Sequence, residues 1–133
     1  MEDIIVGRVM SSGVKTVRPS TTVEEAAQVL LDNDIGSVVV VDEDNGLEGI
    51  LTTTDFVDIV AKSQPKAETT VERYMTTDVI TTTVQVSIQD VADEMIEEGI
   101  HHMPVVDESE GVIGMITTTD LASYISSFQQ RAR

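Results

Sequence analysis

Two hydrophobic spacings succeed one another along this chain. Val23, Ala26, Ala27, Leu30 and Leu31 fall at i, i+3, i+4, i+7 and i+8, the stripe of an amphipathic helix. Thr22 stands ahead of that stripe with Glu25 three residues on, the signature of a capping box, and the stripe stops near Asn33-Asp34. A continuous valine-rich run from Ser37 to Val41 follows, then the turn Asp42-Glu43-Asp44-Asn45-Gly46, then a second run from Leu47 to Leu51, which together predict a β-hairpin. A closing helix is expected from Asp55 to Ala61. Ahead of the striped helix, Met10 to Arg18 reads as a short extended or turn segment ended by Pro19. The order is β-α-β-β-α.

The same grammar returns 65 residues later, in an ungapped match that begins at Val6/Val71 and ends at Ser63/Phe128. Identities include Arg8/Arg73, Met10/Met75, Val14/Val79, Thr16/Thr81, Ile35/Ile100 and Gly46/Gly111. Ser87 replaces Thr22 as the cap, Asp90 replaces Glu25, and Ile88, Val91, Ala92, Met95 and Ile96 carry the stripe, with Gly99 as its stop. Met103 to Val106 and Val112 to Ile116 are the hairpin strands, and Asp120 to Phe128 the closing helix. A pattern that survives while its letters change is stronger than either copy alone. The expected division is a first repeat over 1–63, a polar linker over 64–70, a second repeat over 71–128 and a tail over 129–133. Two copies make a pseudo-twofold pair rather than a solenoid, which needs at least three. One unit of this size is marginal alone, so the repeats are expected to pack against each other. The fold class is α+β, a mixed α/β arrangement.

The best-preserved stretch is Gly49-Ile50-Leu51-Thr52-Thr53-Thr54-Asp55, repeated as Gly114-Met115-Ile116-Thr117-Thr118-Thr119-Asp120. Each copy runs an apolar strand straight into a helix start, where unpaired amides and the positive dipole end favour anionic or oxygen-rich groups. Threonine hydroxyls and a carboxylate are added at the same place.

Composition narrows the chemistry. Cysteine is absent, which excludes disulfides, thiol nucleophiles and thiolate metal sites. There is no run of about 18 apolar residues to span a membrane, and Met1-Glu2-Asp3 opens with acids where a signal peptide carries basic residues, so a cytoplasmic protein is expected. The formal net charge of −16, with lysine only at Lys15, Lys62 and Lys66, opposes nucleic acid and anionic membranes. It fits a chain that folds at high salt, where self-repulsion is screened within a few ångströms. A halophilic archaeon is the expected source; an ordinary acidic prokaryotic protein is the alternative.

In their order and spacing, Val9-Met10-Ser11, Val14-x-Thr16-Val17-x-Pro19, Ile100-His101-His102-Met103-Pro104-Val105-Val106-Asp107 and the twofold Gly-h-h-Thr-x-x-Asp resemble a tandem pair of CBS (cystathionine-β-synthase) domains, the Bateman module. That resemblance implies a stand-alone, non-catalytic regulatory module of the energy-sensing kind. It would bind an adenosine derivative (AMP, ADP, ATP or S-adenosylmethionine) in clefts between its repeats. It places the ribose diol on Asp55 and Asp120, and ribose or phosphate on the hydroxyls of Thr52, Thr54, Thr117 and Thr119. Phosphate would meet His101 and His102, and adenine the segments at Val14 and Val79 against Ile35, Ile100 and Pro104. No obligatory cofactor is implied; the nucleotide is a regulatory ligand, with or without Mg²⁺. A homodimer and an unidentified regulated protein are the expected partners.

Simpler readings stand beside these. Thr52-x-x-Asp55 and Thr117-x-x-Asp120 are also capping boxes with Asp in place of Glu, and a cap leaves a carboxylate oxygen free. His101 and His102, adjacent on a strand, point to opposite faces and do not readily chelate one metal. Met10, Met75, Met95, Met103 and Met115 are core fillers. The acidic turns at Asp42–Asp44 and Asp107–Glu110 are solvated loops. The first repeat has Gly36-Ser37-Val38-Val39 where the second has histidines and Pro104, so the two clefts should differ. An interaction module with vestigial clefts is the alternative function. An enzyme is disfavoured, since no nucleophile with a matching base, metal cluster or Gly-rich phosphate loop is present.

Overall fold

Residues 4–62 and 68–132 are described in the computed structural model of the chain. In chain order the elements are α1 (Val6–Val9), β1 (Thr16–Val17), α2 (Val23–Asn33), β2 (Ser37–Val41), β3 (Leu47–Thr52), α3 (Thr53–Lys62), a 3₁₀ turn (Val71–Arg73), α4 (Ile88–Glu98), β4 (His102–Asp107), β5 (Gly111–Thr117) and α5 (Thr118–Ala132). The mixed α/β class and the β-α-β-β-α order are as expected. They form two compact units, one of Val14–Val79 and one of Met1–Gly13 with Ile80–Arg133. No helix of the described residues is long and apolar enough to cross a membrane.

In the unit Val14–Val79, the helix α2 starts where the sequence says it must. Thr22 Oγ1 accepts from the Glu25 amide at 3.1 Å, and Glu25 Oε1 accepts from the Thr22 amide at 3.2 Å, a complete capping box. The helix ends on Asp34, a left-handed residue at φ 51°. Its stripe buries Val23, Ala26 and Leu30, while Leu31 points to solvent. Strands β1, β2 and β3 form a sheet in that order, β1 parallel to β2 and β2 antiparallel to β3. Every residue of β2 is buried, as a valine run with no polar alternation predicts. Val38, Val40 and Leu51 join Val17, Ala26, Leu30 and Val71 in one core.

The other unit repeats this plan with one strand reduced. β4 and β5 pair antiparallel, α4 is capped by Ser87 on the Asp90 amide and stopped by left-handed Gly99, and Val91, Met95, Met103, Val105 and Ile116 build the core with Val6. Where β1 lies in the first repeat, the second keeps a single parallel bridge, Thr82 to Val105. The reason is Pro104. Its counterpart Val39 donates its amide to Lys15 O at 3.4 Å, and proline has no N–H to offer Ile80 in the same way.

The compact units draw their boundary elsewhere than the repeats. Val6 and Gly7 donate to Val86 and Val84, and Ile88 donates to Ile4; the matching bonds 65 residues on are Val71 to Thr21, Glu72 to Pro19, and Val23 to Thr69. Each repeat's lead-in therefore packs against the striped helix of the other repeat. The first lead-in contains the one-turn helix α1, in a segment that carries no helical stripe. Beyond Phe128, where a tail was expected, α5 continues to Ala132, since no glycine or proline interrupts it. Of the linker 64–70, residues 64–67 lie outside the described residues.

Candidate functional site

Both strand-to-helix corners are built without a loop. β3 ends at Thr52 and α3 begins at Thr53; β5 ends at Thr117 and α5 begins at Thr118. The helices thus start two residues before the aspartates, which places Asp55 and Asp120 in the first turn. The first helical amides are tied back identically, Thr53 N to Gly36 O at 3.0 Å and Thr118 N to His101 O at 3.1 Å. Asp55, Asp120, Thr52 and Thr117 are half-buried; Thr54 and Thr119 are exposed.

The carboxylates are held differently. At the α3 corner, the Thr52 amide and hydroxyl both donate to Asp55 Oδ2, at 2.8 and 3.2 Å. Among the described residues Asp55 Oδ1 has no partner. At the α5 corner the box is reciprocal: the Thr117 amide donates to Asp120 Oδ2 at 3.0 Å, and Thr117 Oγ1 accepts from the Asp120 amide at 3.1 Å. Asp120 Oδ1 meets the Ser11 hydroxyl at 3.5 Å. Neither carboxylate is paired with lysine or arginine among the described residues. The capping box is complete at α5 and half-formed at α3, where Asp55 accepts from the Thr52 amide, and each aspartate keeps acceptor capacity.

A lead-in strap lies over each corner. Ser11 and Met115 exchange two backbone bonds of 2.9 Å, and Thr76 and Ile50 exchange two of 3.0 Å. Gly114 and Gly49 make room for these straps: a Cβ at Gly114 would lie 2.6 Å from Met10 Sδ, and one at Gly49 2.7 Å from Met75 Sδ and 2.8 Å from Thr76 O. The methionines read as core fillers thus have a narrower task at Met10 and Met75. Ser11 and Thr76 were not among the residues the sequence nominates. An isolated glycine inside an apolar strand is the signal that marks such close approach.

On the second corner, His101 is exposed and precedes β4, while His102 is half-buried and pairs with Thr117. His102 Nδ1 is buried with no hydrogen-bond partner. Burial holds its pKa below the ordinary histidine value; the charge of His101 adds to this and Asp120 opposes it. At neutral pH this imidazole is uncharged, so it offers a hydrogen bond rather than a positive charge. Val14, Val79 and Ile35 are half-buried in the unit with Asp55, and Ile100 is half-buried in the unit with Asp120. Pro104, in that same unit, is fully buried, paired with Met115 in the hairpin. Among the described residues no group of three or more His, Cys, Asp or Glu side chains could hold a metal ion.

Twin units, each ending an antiparallel hairpin in a carboxylate-bearing helix start, define a tandem-repeat α/β module. Over residues 6–62 and 71–127 the chain matches the family model of the CBS domain, and it belongs to that family. Such pairs, Bateman modules, are non-catalytic. A 17.7 kDa protein of Acidianus ambivalens is 33% identical over 117 residues, covering 88% of this chain and 70% of that protein. A homoserine O-acetyltransferase of Methanosalsum zhilinae is 32% identical over 127 residues, covering 96% of this chain; the chain spans only 25% of that enzyme's length. Among solved structures, the CBS domain pair of the protein MJ0100 in complex with 5′-methylthioadenosine and S-adenosyl-L-methionine superposes with a TM-score of 0.86 at 28% identity, covering 95% of this chain and 98% of that one.

Proposed function

We propose that this chain is a regulatory sensor of an adenosine derivative, with the ribose diol held by Asp55 and Asp120. The observation that carries this reading is the duplicated corner, where an aspartate accepting from the threonine amide keeps acceptor capacity and pairs with no basic side chain among the described residues. A carboxylate accepts two hydrogen bonds from a vicinal diol, which suits ribose. Thr54 and Thr119, exposed on the first helical turns, supply further hydroxyls, and Val14, Val79, Ile35 and Ile100 supply apolar surface for the base. The likeness to the CBS pair of MJ0100 supports the ligand class. The charge of −16 and the neutral His102 favour a ligand of little negative charge, a thioether or sulfonium nucleoside, over a polyphosphate. The ligand acts by binding one arrangement of the module better than another and so shifting its population.

Calorimetry with S-adenosylmethionine, 5′-methylthioadenosine, AMP and ATP at about 2 M salt, where charge repulsion is screened within ~3 Å, tests this. The sulfonium or thioether nucleosides are expected to bind more tightly than ATP. The double variant Asp55→Ala, Asp120→Ala is expected to lose binding, and retained affinity there removes the proposed site.

A second role, assembly, rests on a separate observation. Leu31 and Ile96, at matching places on α2 and α4, are 75% and 81% exposed, and Val60 and Ile125, matching on α3 and α5, are 72% and 58% exposed. Aliphatic side chains placed alike in both repeats suit a second copy of the chain, and a homodimer is the proposed assembly. A regulated partner protein, no affinity for nucleic acid or membrane, and a cytoplasmic location complete the reading.

A further inference from the structure

Each corner needs its carboxylate held in one orientation, and the two corners find the necessary hydroxyl in different places. At the α3 corner the Thr52 amide and hydroxyl both donate to Asp55 Oδ2, so the carboxylate is held by one residue of its own repeat. At the α5 corner the Thr117 hydroxyl accepts from the Asp120 amide and, among the described residues, donates nothing to the carboxylate. Among the described residues the hydroxyl that reaches the Asp120 carboxylate comes from outside the repeat, from Ser11, on the oxygen opposite the one held by the Thr117 amide. Ser11 is fixed for this by its two backbone bonds to Met115, and Gly114 is what lets the strap come that close. Thr76 occupies the same place on the other strap, with the same backbone bonds to Ile50, yet its hydroxyl makes no bond to Asp55.

We infer that Ser11 is a positioning residue for Asp120, turning that carboxylate so that its remaining lone pairs face the hydroxyls of a bound nucleoside. The inference rests on the reading of Asp120 as the ribose acceptor. At 3.5 Å the bond is long for O–H···O, so it adds little to folding; it sets direction. A donor on Oδ1 leaves a lone pair of that oxygen free, so Ser11 and a ligand hydroxyl share the carboxylate rather than compete for it. It follows that the lead-in strap, about ninety residues upstream of the second repeat's hairpin in the chain, belongs to the second corner's binding site, and that the two corners are tuned by different residues.

The test isolates one corner at a time, with 5′-methylthioadenosine as the calorimetric probe at about 2 M salt. In an Asp55→Ala background, where only the α5 corner is intact, Ser11→Ala is expected to raise Kd roughly three- to tenfold, the range of an ordinary hydrogen bond and below that of a short one to a charged group, as its length requires. Ser11→Thr, which keeps the hydroxyl, is expected to restore affinity, and Thr76→Ala to leave it unchanged. In an Asp120→Ala background Ser11→Ala is expected to change nothing, and the thermal midpoint is expected to be the same for Ser11→Ala and its parent. An unchanged Kd for Ser11→Ala in the Asp55→Ala background overturns the positioning role while leaving Asp120 in place, provided adding Asp120→Ala to that background abolishes binding. Undiminished binding when both aspartates are gone, or no binding in the Asp55→Ala background, overturns the reading of Asp120 itself.

Discussion

His102 shows how a residue's surroundings change what its type implies. A histidine pair beside a helix start reads as a cationic phosphate contact, and charge near pH 6 to 7 is what the free side chain would carry. Half-burial on β4 makes the charged form costly, so protonation of the folded chain is displaced to lower pH. The unfolded chain then binds more protons than the folded one in the window just below the ordinary histidine value. Stability contributed by neutral His102 is therefore present above that window and lost as pH falls through it. Acidification also relieves the net charge of −16, in wild type and variant alike, so the difference between them is the measure. Relative to wild type, His102→Gln is expected to gain thermal stability as pH is lowered from about 7.5 to 5.5. Glu25 and Asp107, whose carboxyl pKa values are held low by hydrogen bonds from Thr22 and Ser109, act only at more acidic pH. The aspartates were legible from Gly-h-h-Thr-x-x-Asp, but their unequal hydrogen bonding was not, because the two corners carry the same letters.

Elements came through the sequence closely where local chemistry determines them. The capping box of α2, the Ser87 cap of α4 and the buried valines of β2 need only neighbours within a few residues, and all are found. What failed to show was the meeting of segments far apart: the one-turn helix α1, the loss of a strand opposite Pro104, and the straps over both corners. Strap and strand meet at glycines, which gives a graded expectation. At Gly49 an added Cβ would strike the Thr76 backbone carbonyl at 2.8 Å as well as Met75, whereas at Gly114 the nearest atom, at 2.6 Å, is the movable Met10 Sδ and the backbone lies at 3.0 Å. Overpacking of this kind costs about 1–3 kcal/mol. Gly49→Ala is expected to lower the urea midpoint more than Gly114→Ala, and equal midpoints would contradict the strap geometry.

For the whole molecule, charge is the dominant global quantity. A net −16 repels itself at low ionic strength, both within one chain and between two copies. Raising salt from about 0.1 to 1 M shortens the Debye length from ~10 to ~3 Å. Over that range the urea midpoint and the dimer fraction measured by light scattering are both expected to rise. A flat response in both would remove the high-salt adaptation and the proposed self-association through Leu31, Ile96, Val60 and Ile125.

By itself the sequence determined the two-copy plan, the identity of most helices and strands, and the aspartates at the corners. These depend on periodicity, caps and turn residues acting over a few positions, and duplication let each copy check the other. Tertiary structure alone decided that the lead-ins are exchanged between repeats, that Ser11 rather than Thr117 supplies the hydroxyl to the Asp120 carboxylate, and that burial holds the His102 pKa below its ordinary value. Each of these depends on which distant segment comes within a few ångströms, or on how far water is excluded, and neither is written in local spacing.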